Sequence, residues 1–528
     1  MVSPKPYRYN DTELKKRRFT MTRSSGVLMH ISSLPGKFGI GTFGQSAYDF
    51  VDFLVKTKQT YWQILPLSPT SYGDSPYQSF SAVAGNTHFI DFDLLAKDGL
   101  LNKSDYQDVN FGDHPEYVDY GLIFNVRRPI LEKAVATFIQ KGDTEAYQAF
   151  LADNQHWLAD YAEFMAIKEH FGLVALSEWD EDIRLRQASA LDHYRKVLKD
   201  KIDYHKITQY FFFKQWLELK AYANDNHIQI IGDMPIYVAA DSVEMWTNSQ
   251  MFKVNEHKEP LVVAGTPPDN FSDDGQYWGN PIYDWDYMEE NQYAWWVFRM
   301  KEAFKIYDVV RIDHFRGFES YWAVPYGAPT AADGAWEKGP DVKLFNQIKK
   351  ELGDLNIIAE DLGFLTQEVI DMRDATGYPG MKILQFGYDG SDSMELPHNF
   401  TKNTISYLGT HDNETITGWY DSVPTYIRHN VDKYTNRKGS ETIADALHRT
   451  LAACVSNQVI FTVQDLLDLD NRARMNEPST IGHNWQWRMQ EGALTDKIAD
   501  KLLDFTKTYF RVNPLLADTS KAVDTEVN

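Results

Sequence analysis

Cysteine is almost absent: Cys454 is the single thiol in 528 residues. That excludes an intrachain disulfide and any metal site built from several thiolates, and a chain without bridges suits a reducing, cytoplasmic compartment. Positive charge is also in deficit. With 53 Lys and Arg against 75 Asp and Glu, the formal net charge is -22, a field that repels nucleic-acid backbones and anionic membranes and favours a neutral partner. Long apolar runs are missing too. None approaches membrane-spanning length, and the basic start (Lys5, Arg8, Lys15, Lys16, Arg17, Arg18) is not followed by an apolar segment of signal length. No membrane partner is expected. Low-complexity tracts and internal repeats are likewise not evident.

Aromatic residues are plentiful. The 14 Trp, 30 Tyr and 30 Phe supply a large core, and rings of this kind also suit the faces of sugars. The length allows two to four average domains or one large barrel with insertions. Eight short buried-type runs decide between them: Gly26 to Ile31, Tyr61 to Leu67, His227 to Asp233, Val309 to Ile312, Asn356 to Ala359, Met381 to Phe386, Thr404 to Leu408 and Gln458 to Val463. Helix-length segments separate most of them, including Gln45 to Lys58, Asn291 to Ile306, Val342 to Leu352 and Thr366 to Thr376. Eight alternating units predict an α/β chain folded as a (β/α)8 TIM barrel, whose chemistry sits at the C-terminal strand ends. A doubly wound open sheet is the competing fold, but no Gly-x-Gly-x-x-Gly turn follows the first run, which weakens a dinucleotide reading. No cofactor is expected.

Large, mainly helical insertions interrupt the pattern. About 160 residues lie between the second and third runs, far beyond what a crossover needs. Apolar spacing of three to four residues (Ile130, Leu131, Ala134, Val135, Phe138) predicts helices there, giving a helical subdomain over about residues 92–222. The remaining divisions are an N-terminal extension at 1–22, the barrel over 23–515 and a tail at 516–528.

Three strand ends carry chemistry. Val309-Val-Arg-Ile-Asp-His-Phe-Arg-Gly317 puts Arg311 and Asp313 on one face, because strand side chains alternate. A guanidinium beside a carboxylate favours the ionised acid, so Asp313 is expected to be an anion and available as a nucleophile. An isolated pair of this kind is more often structural. One strand on, Ile357-Ile-Ala-Glu-Asp361 exposes Glu360, and adjacent strand ends would hold the two carboxyls roughly 5 to 6 Å apart, the spacing of retaining glycosidases. An acid there must have a raised pKa from a crowded, apolar site, whereas the same Glu-Asp pair would also serve as a helix cap. The seventh run ends in Gly409-Thr-His-Asp-Asn-Glu414, where Asp412 would face Asp313 across the mouth, or else form a turn and helix cap. His411 and Asp412 have no second His at ligand spacing, so no metal is expected.

The set Arg311-Ile-Asp313-His314-Phe-Arg-Gly, Ala359-Glu360-Asp361-Leu-Gly and Thr410-His411-Asp412-Asn413 resembles that of the 4-α-glucanotransferases, the amylomaltases or disproportionating enzymes of glycoside hydrolase family 77, relatives of the α-amylases. Gly73-Asp-Ser-Pro-Tyr77-Gln-Ser is similar to the family's donor-site platform. Ala264-Gly-Thr-Pro-Pro-Asp269 through Gly275-Gln276-Tyr-Trp278-Gly-Asn-Pro-Ile-Tyr283 is similar to its glucan-covering loop, here about 240–285. Arg474-Met-Asn476-Glu-Pro with Asn484-Trp-Gln-Trp-Arg488 resembles its C-terminal signature.

This likeness covers roughly residues 24–512. It implies Asp313 as nucleophile, Glu360 as acid and base, and Asp412 as transition-state stabiliser, with Arg311, His314 and His411 in support. Tyr77, Asp269, Gln276, Trp278 and Asn476 would bind glucan. The implied reaction is retaining transfer of α-1,4-glucan segments from a maltooligosaccharide to the 4-hydroxyl of another glucan or of glucose. An α-1,4-glucan hydrolase and a non-catalytic glucan-binding barrel are the alternatives. Two positions depart from the pattern, Asn270 where an aromatic is common and Ser479 where glycine is usual, and the chain ends soon after Phe510 with no C-terminal β-sandwich of the α-amylase kind expected.

Overall fold

The computed structural model describes residues 23–142, 144–268, 273–363 and 365–517. The expected N-terminal extension and all but the first two residues of the expected tail lie outside these. Eight parallel strands form the centre: β1 (Ser24–Leu28), β2 (Tyr61–Gln63), β3 (Gln229–Met234), β4 (Val309–Ile312), β5 (Ile357–Ala359), β6 (Gly380–Ile383), β7 (Thr404–Tyr407) and β8 (Gln458–Thr462). Their order around the sheet is β6-β7-β8-β1-β2-β3-β4-β5. The remaining seam, between β5 and β6, is bridged where Ala359 N–H donates to the Pro379 carbonyl at 3.0 Å.

Each predicted run thus became a barrel strand. They are almost continuously buried, as parallel strands covered on both faces must be. Some ends moved. The sixth strand stops at Ile383, because Leu384–Gly387 turns into a 3-10 helix and Gln385 Nε2 reaches the Glu414 carbonyl at 2.7 Å. Between strands lie α1 (Gln45–Lys56), α2 (Lys199–Asp225), α3 (Ala294–Ile306), α4 (Val342–Leu352) and α5 (Gln367–Thr376).

The stretch between β2 and β3 is helical over Tyr120–Lys141, Glu145–Asp153, Leu158–His170 and Ala188–Val197 before α2 returns the chain to the barrel. The seating of α2 on α3 is polar as well as apolar. Trp216 Nε1 donates to the Ile306 carbonyl at 3.1 Å, and Lys220 Nζ donates to the carbonyls of Lys305 and Tyr307 at 3.1 and 3.2 Å.

A second sheet was not legible. Gln276–Pro281, Val262–Thr266, Ser320–Pro325 and Ala335–Lys338 form an antiparallel sheet in that order. The segment read as a covering loop is therefore partly a hairpin, braced by the two strands that follow β4. No strand of either sheet follows β8 among the described residues. Nor is any helix there long and apolar enough to cross a membrane.

Candidate active site

At the C-terminal end of β4, Asp313 N–H donates to the Met234 carbonyl of β3 at 3.0 Å, and Glu360 N–H at the end of β5 donates to the Ile312 carbonyl at 3.1 Å. The two strand ends are thereby tied together. His314 then takes a left-handed backbone, φ 53°, a strain of about 1–3 kcal/mol of the kind held at functional sites. Its N–H donates to Glu360 Oε2 at 2.6 Å, while Leu362 N–H donates to Oε1 at 2.9 Å. Glu360 is therefore no helix cap; α5 begins further on at Gln367. Asp361 turns away to take Met381 N–H at 2.7 Å and to pair with Arg373.

Arg311 and Asp313 do share a face: Arg311 Nη1 donates to Asp313 Oδ1 at 3.0 Å. The same nitrogen is nearer to another acid, lying 2.8 and 2.7 Å from the two oxygens of Asp233 at the end of β3. Tyr77 completes this group by donating its hydroxyl to Asp233 Oδ2 at 2.9 Å. Asp233 was missed in the sequence, although an acid closing the third strand-like run is the signal that singled out Asp313.

Burial sets the proton affinities. Glu360 is only 9% exposed, and desolvation pushes its pKa up to about 8, with Arg311 pulling the other way and Asp313 adding to the rise. Desolvation likewise raises Asp313 to about 6, against the pull of Arg311. The expectation that Arg311 holds Asp313 low is corrected: partial burial outweighs the pull of a guanidinium that Asp233 also claims, so the Asp313 pKa lies above its ordinary value. Burial drops His314 to about 3, so its ring is neutral.

On the far side, the segment after β7 is a turn, with Thr410 N–H donating to Asn413 Oδ1 at 2.8 Å, and Thr415 caps the next helix. Asp412 is spared for the mouth. Its Oδ2 lies 3.3 Å from His411 Nε2, its Oδ1 accepts from Asn476 Nδ2 at 2.6 Å, and its carbonyl is held by Arg474 at 2.8 Å. The His411 ring stacks on Tyr77, centroids 5.1 Å apart and planes 13° off parallel, with Trp485 tilted against both. Trp278 meets the His314 ring edge to face at 4.8 Å and donates its Nε1 to Gln276 Oε1 at 3.1 Å.

Of the residues singled out in the sequence, Asp313, Glu360, Asp412, Tyr77, Arg311, His314, His411, Gln276, Trp278 and Asn476 are thus brought together at the mouth. Asp269 lies outside the described residues, as does the departure at Asn270. Among the described residues no group of three or more His, Cys, Asp or Glu is arranged to hold a metal ion.

A parallel eight-stranded barrel with desolvated carboxyls and stacked aromatics at its C-terminal mouth has the features of carbohydrate-active (β/α)8 enzymes. Comparison with known proteins narrows this class. The family model described as 4-α-glucanotransferase, glycoside hydrolase family 77, matches residues 29–495, and the chain belongs to that family. It is 59% identical over 502 residues to a 4-α-glucanotransferase of Streptococcus pneumoniae serotype 4, covering 94% of this chain and 99% of the relative. A 4-α-glucanotransferase of Clostridium butyricum is 50% identical over 486 residues, 92% of this chain and 100% of the relative. Among solved structures, an amylomaltase from Streptococcus agalactiae in complex with acarbose matches with a TM-score of 0.91 at 54% identity, covering 93% of this chain and 100% of that one.

Proposed function

We propose that the barrel mouth transfers α-1,4-glucan segments with retention, Asp313 acting as nucleophile and Glu360 as acid and then base. The observation that carries this reading is the unequal desolvation of two carboxyls on neighbouring strands, one with a pKa of about 6 and the other of about 8. At pH 7 the first is an anion and the second keeps its proton, the division of labour a retaining mechanism needs. An Asp313 oxygen bonds to the anomeric carbon as the glycosidic bond breaks, and the Glu360 proton passes to the departing 4-oxygen. The 4-hydroxyl of an acceptor then gives its proton to Glu360 as its oxygen displaces Asp313.

Asp412, held by Asn476 and His411, is the third carboxylate, suited to stabilising the positive, distorted ring of the transition state. Tyr77 offers a platform at the donor side, and Trp278 and Gln276 lie on the covering segment, to which the family likeness adds Asp269 as a glucan contact. The substrates and acceptors are maltooligosaccharides, longer α-1,4-glucans and glucose. The single cysteine fits a cytoplasmic enzyme. No cofactor enters the atom balance of either step.

Incubation with maltotriose alone tests the reading. Glucose together with oligomers longer than the starting sugar is the expected result, and Asp313→Asn is expected to abolish both. Products no longer than maltotriose would instead make the chain a hydrolase, and an unchanged product pattern in the variant would remove Asp313 from the chemistry.

A further inference from the structure

On the strand Gln276–Pro281, Trp278 turns toward His314, so its neighbour Tyr277 lies on the opposite face. That face carries an aromatic row. Tyr277 is paired across the ladder with Gly265, Gly265 with Trp322, and Trp322 with Trp336, one residue from each of the four strands. Directly opposed residues share a side of the sheet. Gly265 contributes no side chain, and the buried cluster of Val263, Val324 and Ala331 packs beside it, so the exposed rings flank a filled centre. Tyr277, Trp336 and the neighbouring Tyr326 are 40%, 43% and 55% exposed, so the rings are open to solvent.

Neighbours fix them. Trp322 Nε1 donates to the Ala331 carbonyl at 2.8 Å, and its ring meets Trp336 edge to face at 5.2 Å. Gly327 N–H donates to the Tyr277 hydroxyl at 3.2 Å, and the Arg316 guanidinium sits 4.0 Å from the centre of the Trp336 ring. Rings held on one side and open on the other bind with little ordering cost.

We propose that this face is a second binding surface for α-1,4-glucan, taking part of a chain that lies beyond the segment in the cleft. The proposal rests on the reading of the barrel mouth as a glucan transferase site. Hexose rings pair apolar C–H faces with polar rims, which matches aromatic faces on a polar sheet edge. A net charge of -22 favours a neutral polymer over a nucleic acid. The row is joined to the cleft around the sheet edge, since Tyr277 and Trp278 serve opposite faces of Gln276–Pro281, the edge strand of the four. A polymer engaged at Trp278 therefore lies within reach of the row.

Affinity electrophoresis in amylose gels, run on the Asp313→Asn protein so that the polymer is not consumed, tests this. Adding Trp336→Ala is expected to raise the apparent amylose dissociation constant about tenfold, the loss of one well-packed aromatic contact. Trp336→Phe, which keeps a ring, should retain most of the retardation. In the otherwise unmodified chain, Trp336→Ala should convert maltotriose at the parent rate, since a trisaccharide is too short to reach both faces. Retardation unchanged by Trp336→Ala combined with Tyr326→Ala would overturn the proposal, and so would an equal loss of maltotriose conversion, which would assign Trp336 to the cleft itself. Failure of the unmodified chain to convert maltotriose at all is a separate outcome: it rejects the transferase reading, and the proposal with it.

Discussion

Asp233 and Asp313 compete for one guanidinium. Arg311 Nη1 is closer to both oxygens of Asp233 than to Asp313 Oδ1, and the Asp233 charge also raises the Asp313 pKa. Asp233→Asn removes that charge and leaves Arg311 to Asp313. Proton affinity at Asp313 then falls, and the acid limb of kcat/KM should move below its expected position near pH 6. Tyr77 simultaneously loses a charged acceptor, so kcat should drop about 10- to 100-fold, equivalent to a charged hydrogen bond of about 1.5–3 kcal/mol expressed in the barrier. A limb that stays in place would show that Asp233 does not act on the nucleophile. In the parent chain the same profile should rise through about 6 as Asp313 ionises and fall above about 8 as Glu360 loses its proton. The residues Asp313, Glu360 and Asp412 were legible because each ends a strand-like run. The direction of the Asp313 shift was not, because two-residue spacing reveals a neighbouring charge but neither the partial burial of the carboxyl nor the rival acid from another strand.

Among the elements, β3 is where site and scaffold meet most tightly. A Cβ on Gly232 would lie 2.2 Å from the Tyr307 ring, one residue before Asp233, and the Tyr307 hydroxyl accepts from Leu67 N–H at 3.3 Å. The ring is buried, so the added methyl forces the ring or the strand to shift. Gly232→Ala should therefore cost about 1–3 kcal/mol of stability by overpacking, measured as a lower urea midpoint, with activity falling as Asp233 shifts. An unchanged midpoint would mean that the ring moves freely. The barrel strands were readable because burial on both faces leaves continuous β-branched runs such as Val309-Val310. The outer sheet was not: Gln276-Tyr-Trp-Gly-Asn-Pro mixes Gly, Asn and Pro into a strand, and the pairing of Val262–Thr266 with Ser320–Pro325 reaches across α3 and β4. Local pattern gives no sign of such a contact. The helices of the long insertion were legible for the opposite reason, since their apolar spacing repeats within each segment.

At the scale of the whole molecule, the site is built against stability. Glu360 rises from an ordinary 4.5 to about 8 in the folded chain. Between these values the native state keeps a proton that the unfolded chain releases, so stability is complete below the lower value and declines as pH rises toward the upper one. At about 1.36 kcal/mol per unit, this single group removes about 3 kcal/mol between roughly pH 5 and pH 7.5. Glu360→Gln has no such proton to keep. Its amide cannot accept both backbone N–H groups that now meet the carboxyl, which sets a fixed cost at every pH and leaves the slope as the diagnostic quantity. Across that pH range the melting temperature of the variant should gain steadily on that of the parent, while kcat at neutral pH falls by about 10²- to 10⁴-fold for loss of the general acid. Parallel melting curves against pH would show that Glu360 is ionised in the folded chain at neutral pH. The acid would then not be loaded with its proton, and the division of roles between Glu360 and Asp313 would have to be reversed or abandoned.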